Sequence, residues 1–443
     1  MSTIFAPLTL KGLCSVYVLR ISGNKTLECL QKLGIKKELI PQKATVCKIK
    51  NTNGELLDEA LVVYFKAPHS FTGEDVAEIS LHCSNYIIKQ VFSILSSVDN
   101  VRLAERGEFS KRAFLNNKID LMQAESIVDL INAETEIQHK LAIEQLSGRN
   151  SNFYNDLRQK VVEVLSILEA FIDFPEEEIP QELEGEILAK VSKIKTDIKN
   201  NLNDDKIGER IRDGFKISII GEPNAGKSTL LNYLSNRDIA IVSDIAGTTR
   251  DIIEVNLDIA GIPVVIYDTA GIRETNDIIE REGVKRAIAN ANTSDIKILV
   301  VDSTNIELSQ SVLDLIDNNT IILLNKIDLL EAGYIIDKNI FKDSTVIEIS
   351  ITNKLNLDNF LDVLQNKLEN MVSPHINTTI TNERYRQELL KALDYLELFD
   401  FNMPIEINAE NIRMVADCIG RITGRVSSDE ILGNIFSKFC IGK

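Results

Sequence analysis

At 443 residues, 44% hydrophobic and 26% charged, the chain has room for about three domains and the balance of a soluble globular protein. A formal net charge of −17 opposes autonomous, unspecific binding to nucleic acid, so an RNA substrate would need a localised basic patch or a basic partner. The sequence has no apolar run near the roughly 18 residues of a membrane span, no basic-then-apolar leader pattern and no Cys-x-x-Cys spacing among six cysteines. This argues against a membrane transporter, a zinc site and a disulfide framework, and a cytoplasmic location is expected.

Short apolar alternations recur at 16–21, 45–49, 61–65 and 76–82, interleaved with helical stretches at 86–95 and 108–116. They predict an α+β domain. From 120 to about 172 apolar residues fall at helical spacing: Leu121, Ala124, Val128, Ile131, then Leu157, Val161, Val164 and Leu168. Pro175-Glu176-Glu177-Glu178-Ile179-Pro180 interrupts this run as a solvated turn, and a further helix follows to about 202.

The apolar run 215–220 leads into Gly221-Glu222-Pro223-Asn224-Ala225-Gly226-Lys227-Ser228 and then a helix starting Thr229-Leu230-Leu231. Strand, glycine-rich turn and helix in that order are the context of a phosphate-binding loop. Backbone N–H groups converge on phosphate oxygens at the helix N-terminus, Lys227 adds a mobile positive charge, and the Ser228 hydroxyl suits Mg²⁺. Asp244-Ile245-Ala246-Gly247-Thr248-Thr249-Arg250-Asp251 is turn-rich, with hydroxyls for the metal. The strand 264–267 delivers Asp268-Thr269-Ala270-Gly271, where Asp268 can hold Mg²⁺ through water and the Gly271 amide can sense a γ-phosphate. These two loops are the expected switches. The buried run 320–324 ends in Asn325-Lys326-Ile327-Asp328. A carboxylate there can accept from guanine N1–H and its exocyclic amine, whereas adenine would leave it unpaired. The expected ligand is GTP or GDP.

Where Ras-like GTPases carry a water-orienting Gln beside Asp-x-x-Gly, this chain has Ile272, so hydrolysis must recruit another group. Residues 382–399 and 411–439 again read as helical, with Ser427 and Glu430 as a capping box. The expected fold is multidomain α/β plus α. Its segments are an N-terminal α+β domain (1–118), the first part of a helical domain (119–213), an interrupting Ras-like P-loop GTPase domain (214–372), and the second helical part (373–443).

Several segments resemble the MnmE (TrmE) tRNA-modification GTPases across essentially the whole chain and in the same order. They are Leu19-Arg20-Ile21-Ser22-Gly23, Phe71-Thr72-Gly73-Glu74-Asp75-Val76, Gly107-Glu108-Phe109-Ser110-Lys111-Arg112-Ala113-Phe114, Asp173-Phe174-Pro175-Glu176-Glu177, Ile245-Ala246-Gly247-Thr248-Thr249-Arg250-Asp251 and Phe439-Cys440-Ile441-Gly442-Lys443. The nucleotide motifs are shared with ribosome-assembly GTPases, but such a switch would carry a basic RNA-binding module. The N-terminal and Cys-Ile-Gly-Lys segments are more specific.

The resemblance implies a homodimer formed through a tetrahydrofolate-binding N-terminal domain, and a flavoprotein partner, MnmG (GidA). Together they would add an aminomethyl or carboxymethylaminomethyl group to carbon 5 of the wobble uridine of certain tRNAs, using a tetrahydrofolate one-carbon derivative. Hydrolysis of GTP would be potassium-activated. The family's nucleotide contacts fall on Asn224, Ala225, Gly226, Lys227, Ser228 and Thr229, on Ser243, Asp244, Ile245, Ala246, Gly247, Thr248 and Thr249, on Asp268, Thr269, Ala270 and Gly271, and on Asn325, Lys326, Ile327 and Asp328. Potassium ligands fall on Asn224, Ser243, Ile245 and Thr248, and Mg²⁺ contacts on Ser228 and Thr249. K⁺ would supply the charge of an arginine finger, and Glu280 would orient water. On its residues alone Glu280 is an ordinary charge on a switch-region helix.

Folate contacts fall on Arg20, Glu78, Lys118 and Lys443. A pterin edge suits a carboxylate, and the cations suit polar and anionic groups. Cys440 would be a thiol near the substrate site supporting the modification, or a buried structural cysteine; Gly442 and Lys443 fit a prenylation motif poorly. Departures from the family pattern are the glycine-poor Pro7-Leu8-Thr9-Leu10-Lys11-Gly12-Leu13-Cys14, His82-Cys83-Ser84 in place of His-Gly-Gly, and Ser350-Ile351-Thr352 in place of Ser-Ala-Lys.

Overall fold

The computed structural model describes residues 2–9, 14–174, 180–204, 206–236, 254–268, 288, 290–331, 339–341, 344–373, 379–426 and 429–442. The chain divides into two compact units. One comprises Met1–Val128, Gln145–Gln159 and Ala416–Lys443; the other comprises Asp129–Glu144 and Lys160–Val415.

In the first unit, strands β1 Thr3–Pro7, β2 Val16–Ser22, β3 Thr45–Lys50, β4 Leu56–Phe65, β5 Val76–His82 and β6 Val101–Leu103 form one sheet in the order β3-β4-β5-β2-β1-β6. The β1–β6 pair is parallel and the other pairs are antiparallel. Alternation sets the inner face. Tyr17, Leu19 and Ile21 of β2, Ala60, Val62 and Tyr64 of β4, and Ala77, Ile79 and Leu81 of β5 are buried with Cys29, Leu30, Ile88 and Val91 of the helices Thr26–Lys32 and Asn85–Ser96. A slip of one residue would turn this set to solvent. Each large aliphatic side chain lost that way would cost about 1.5–3 kcal/mol, so the register is firmly specified.

The expected helix 411–439 is two helices, Ile405–Thr423 and Asp429–Phe436. Gly424 interrupts it at φ +84°, and a Cβ there would stand 2.7 Å from Phe114 Cε2. The second helix then turns Leu432 and Phe436 onto Leu121 and Ala124. Ser427, expected to cap that helix, lies outside the described residues.

In the second unit, β7 Phe215–Ile220, β8 Glu254–Ile259, β9 Ile262–Asp268, β10 Ile296–Asp302, β11 Thr320–Asn325 and β12 Thr345–Glu348 form a sheet in the order β12-β11-β10-β7-β9-β8. Only the β8–β9 hairpin is antiparallel among these pairs. Strands buried on both faces need unbroken apolar runs, and all six residues of β11 are buried. One face packs Ile217, Ile298 and Leu323 against Leu230, Leu234 and Phe360. The other packs Leu299, Ile322 and Leu324 against Val312, Leu315 and Phe341. The connections run in opposite directions on the two sides of β7, which makes its carboxyl end the switch point where such sheets bind ligands.

Helices flank this sheet in sequence. Ile187, Val191, Ile194 and Ile198 are buried along Gln181–Leu202, which packs against Glu383–Glu397, where Tyr385, Leu389, Ala392 and Leu396 are buried. The Asn382 side chain caps the latter helix by accepting from Arg384 N–H. Buried Arg386 donates to Asp204 and to Glu209, both at 2.6 Å, and each ion is tolerated because it is paired. An α+β N-terminal part and helices on both sides of a P-loop sheet are the fold class the sequence leads one to expect.

Candidate functional site

The loop after β7 is shaped by its backbone. Asn224 takes φ +62° and Gly226 φ +110°. A Cβ on Gly226 would lie 2.3 Å from Asn325 Nδ2, so this position requires glycine. The helix Lys227–Ser235 starts directly behind it, aiming its first N–H groups at the crevice. Lys227 is 7% exposed and its Nζ donates to the carbonyls of Gly221 and Glu222, both at 2.9 Å. The ammonium is thus held over the loop that phosphates would fill. Asn224, Ser228 and Thr229 are exposed on the same loop and first turn. A cleft of about 550 Å³ opens there, lined by Glu222, Asn224, Ala225, Asp302 and Ser309.

Asn325, the last residue of β11, ties the second motif to the first. Its Nδ2 donates to Ala225 O at 2.8 Å, and its Oδ1 accepts from Ile351 N–H at 3.1 Å. One buried carboxamide therefore joins the phosphate loop, the Asn-Lys-x-Asp motif and the 350–352 loop. The 350–352 loop makes this bond through the Ile351 backbone and not its side chain. Lys326 adopts φ +68° and its Nζ reaches Asp302 Oδ2 at 2.5 Å. Burial would raise the Asp302 carboxyl, but hydrogen bonds from Lys326 and Thr304 and the Lys326 charge outweigh it and hold it below the usual carboxylate range. Ile327 and Asp328 form a short turn that leaves the Asp328 side chain exposed. Asp268 ends β9 opposite Ile219 of β7, beside the phosphate loop. Ser243, Asp244, Ile245, Ala246, Gly247, Thr248, Thr249, Thr269, Ala270, Gly271 and Glu280 lie outside the described residues.

In the first unit, Arg20 and Glu78 face each other across the β2–β5 ladder and pair through Nη2 and Oε1 at 2.7 Å. The Arg20 guanidinium also lies over the rings of Phe71 at 5.2 Å and Phe109 at 5.5 Å. Lys118 Nζ donates to Pro68 O at 2.9 Å, and Asn116 Nδ2 to Thr72 O at 2.6 Å. The loop between β4 and β5 thus brings Arg20, Glu78 and Lys118 into one neighbourhood. Lys443 lies outside the described residues.

Sequence reasoning missed what supports this loop. Buried Arg112 bonds Glu74 at 3.0 Å and Glu108 at 2.9 Å, Arg102 bonds Glu108 at 2.7 Å, and Ser22 Oγ donates to Glu74. Glu74, Glu108 and Arg112 sit within two of the segments quoted above, so the acid-and-base pairing of those segments was the available signal. Cys440 is exposed, not buried. Its carbonyl accepts from Gly107 N–H, and Ile441 bridges Arg106. Among the described residues no cluster of His, Cys, Asp or Glu suits a metal ion, and no helix is long and apolar enough to cross a membrane.

A phosphate loop and an Asn-Lys-x-Asp turn, joined at the carboxyl ends of a largely parallel sheet, define a P-loop GTPase. The chain matches the family model of the GTP-binding protein TrmE N-terminus over residues 3–118 and that of the MnmE helical domain over residues 121–440. It is 48% identical over 448 residues to the tRNA modification GTPase MnmE of Rickettsia canadensis, covering 100% of both chains. It is also 48% identical over 448 residues, at the same coverage, to that of Rickettsia typhi. The chain belongs to the MnmE family of tRNA modification GTPases. Among solved structures, the G domain of the T. maritima FeoB iron transporter is 24% identical, covers 34% of this chain and 98% of that one, and gives a TM-score of 0.27, too low to support a functional statement.

Proposed function

We propose that this protein hydrolyses GTP in a potassium-activated manner and, with the flavoprotein MnmG, adds a carboxymethylaminomethyl or aminomethyl group to carbon 5 of the wobble uridine of certain tRNAs. A tetrahydrofolate derivative would donate the one-carbon unit. The observation that carries this reading is the Asn325 bridge between phosphate loop and base-recognition loop, in a chain matched to MnmE proteins over its full length.

Lys227 and the backbone N–H groups of residues 224–229 hold the phosphates, and Asp328 reads guanine. Ser228 and Thr249 would hold Mg²⁺; the exposed hydroxyl on the first helical turn fits a hard cation. Asn224, Ser243, Ile245 and Thr248 would hold K⁺, and the exposed Asn224 carboxamide is an oxygen donor of the right hardness. Bound there, K⁺ supplies positive charge beside the transferring phosphoryl group. Glu280 orients the attacking water. Arg20, Glu78, Lys118 and Lys443 form the folate site, with Glu78 for the pterin edge. Cys440 supports the modification chemistry. The protein works as a cytoplasmic homodimer, with segments 1–118, 119–213, 214–372 and 373–443 as its domain plan.

The test is GTP hydrolysis in KCl and NaCl at equal ionic strength, with Asn224→Lys and Glu280→Ala alongside. Stimulation of several-fold or more by K⁺, lost in both variants, is expected. Equal rates in the two salts would remove the cation mechanism.

A further inference from the structure

We propose that Cys14 and Cys83 form a reversible modification site, a dithiol that exchanges with small-molecule disulfides and closes into a disulfide at the end of the β2–β5 ladder. Cys14 lies two residues before β2 and Cys83 directly follows β5. Val16 pairs with His82 at that end of the ladder, and Cys83 N–H donates to Ser15 O at 3.2 Å. The two sulfurs stand 2.8 Å apart although 69 positions separate them in sequence. They need only a small approach to bond, since the strands next to them are already paired. Tyr17 of β2 is buried, and its phenol is held above its ordinary pKa by burial first and then by Cys83 and Cys14.

Accessibility separates this pair from the other cysteines. Cys14 is exposed and Cys83 half-buried, whereas Cys29, Cys47 and Cys418 are buried, and burial pushes the Cys29 thiol up to about 11. A buried, high-pKa thiol is inert, and an accessible one exchanges. Cys440 is accessible too, so it serves as an internal comparison.

The Cys14 thiolate attacks one sulfur of the small disulfide, forms a mixed disulfide and expels one thiolate. The Cys83 thiolate then attacks Cys14 Sγ, forms the Cys14–Cys83 bond and expels the second thiolate. Two protein thiols are oxidised, one disulfide is reduced to two thiols, and the two protons end on those products or in solvent. Reducing thiols run the sequence backwards, as expected of a transient cytosolic disulfide.

The full chain is incubated with oxidised glutathione, alkylated under denaturing conditions and digested without reduction. The expected result is a linked pair of peptides carrying Cys14 and Cys83, both lost to alkylation and both recovered after dithiothreitol, while Cys440 takes at most a glutathione adduct. Cys14→Ser and Cys83→Ser should each retain a single glutathione adduct on the remaining partner. Six alkylated cysteines in the oxidised wild type, a persistent glutathione adduct on Cys14, or equal cross-linking to Cys440 would each overturn the proposal. The wild-type peptide map decides even if a serine variant does not fold.

Discussion

The Asn325 carboxamide uses a donor and an acceptor to connect loops from three places in the sequence. Truncation in Asn325→Ala leaves the Ala225 carbonyl and the Ile351 N–H without that partner, at about 1–3 kcal/mol for each buried group. The GDP affinity, measured by titration calorimetry, should fall by about tenfold or more; an unchanged affinity would contradict the bridge. Glu108 gives a pH signature in the other unit. Burial raises its carboxyl, but Arg102, the Glu105 N–H and Arg112 together pull it below the ordinary 4.5. A depressed folded pKa stabilises fully above the unfolded value, and the contribution is lost as pH falls through the folded one. Urea midpoints should therefore show the gap between wild type and Glu108→Gln narrowing as pH drops below 4.5. At this scale the phosphate loop was legible because strand, turn and helix follow one another in sequence. The Arg112–Glu74 pair, 38 positions apart, was not, and neither was the Cys14–Cys83 approach.

Elements differ in how openly their sequences announce them. The strand β11 was readable because burial on both faces demands an unbroken apolar run. The strands β1 and β6 were not read: β6 has three residues, and its parallel partner lies near the other end of this sheet's sequence. The break between Ile405–Thr423 and Asp429–Phe436 was missed because single glycines in a helical pattern, here Gly420, Gly424 and Gly433, are usually tolerated. What decides it is the Phe114 ring against Gly424. Gly424→Ala combines a positive φ with a 2.7 Å approach and should lower stability by roughly 1–3 kcal/mol, read as an earlier denaturant midpoint. For the helical pair, Arg386→Ala strips Asp204 and Glu209 of their cation and should cost about 3–5 kcal/mol. Arg386→Leu with Asp204→Asn and Glu209→Gln should recover much of that loss. No recovery would show that the ion pairs themselves, and not relief of buried charge, hold this junction.

Two compact units in one chain lead to a calorimetric expectation. Saturating GDP should stabilise the unit holding residues 160–415 by about 2.7 kcal/mol at a hundredfold excess over Kd, moving its melting transition while a second transition stays in place. A single transition that moves as a whole would show the units to unfold as one. The α+β and P-loop parts were legible because each is written in a contiguous stretch of sequence. The return of residues 416–442 to the first unit was not, since no local pattern encodes it. That return sets an order of assembly on the ribosome. The sheet at the start of the chain emerges early, but Ile441 reaches its bridge with Arg106 only after every residue of 160–415 has been made. The nucleotide-binding fold can therefore be finished, and loaded with GTP, while the first unit still waits for its last strand-like contact. Translation that stalls in between would yield a nascent chain able to bind nucleotide whose other half remains open to chaperones and proteases.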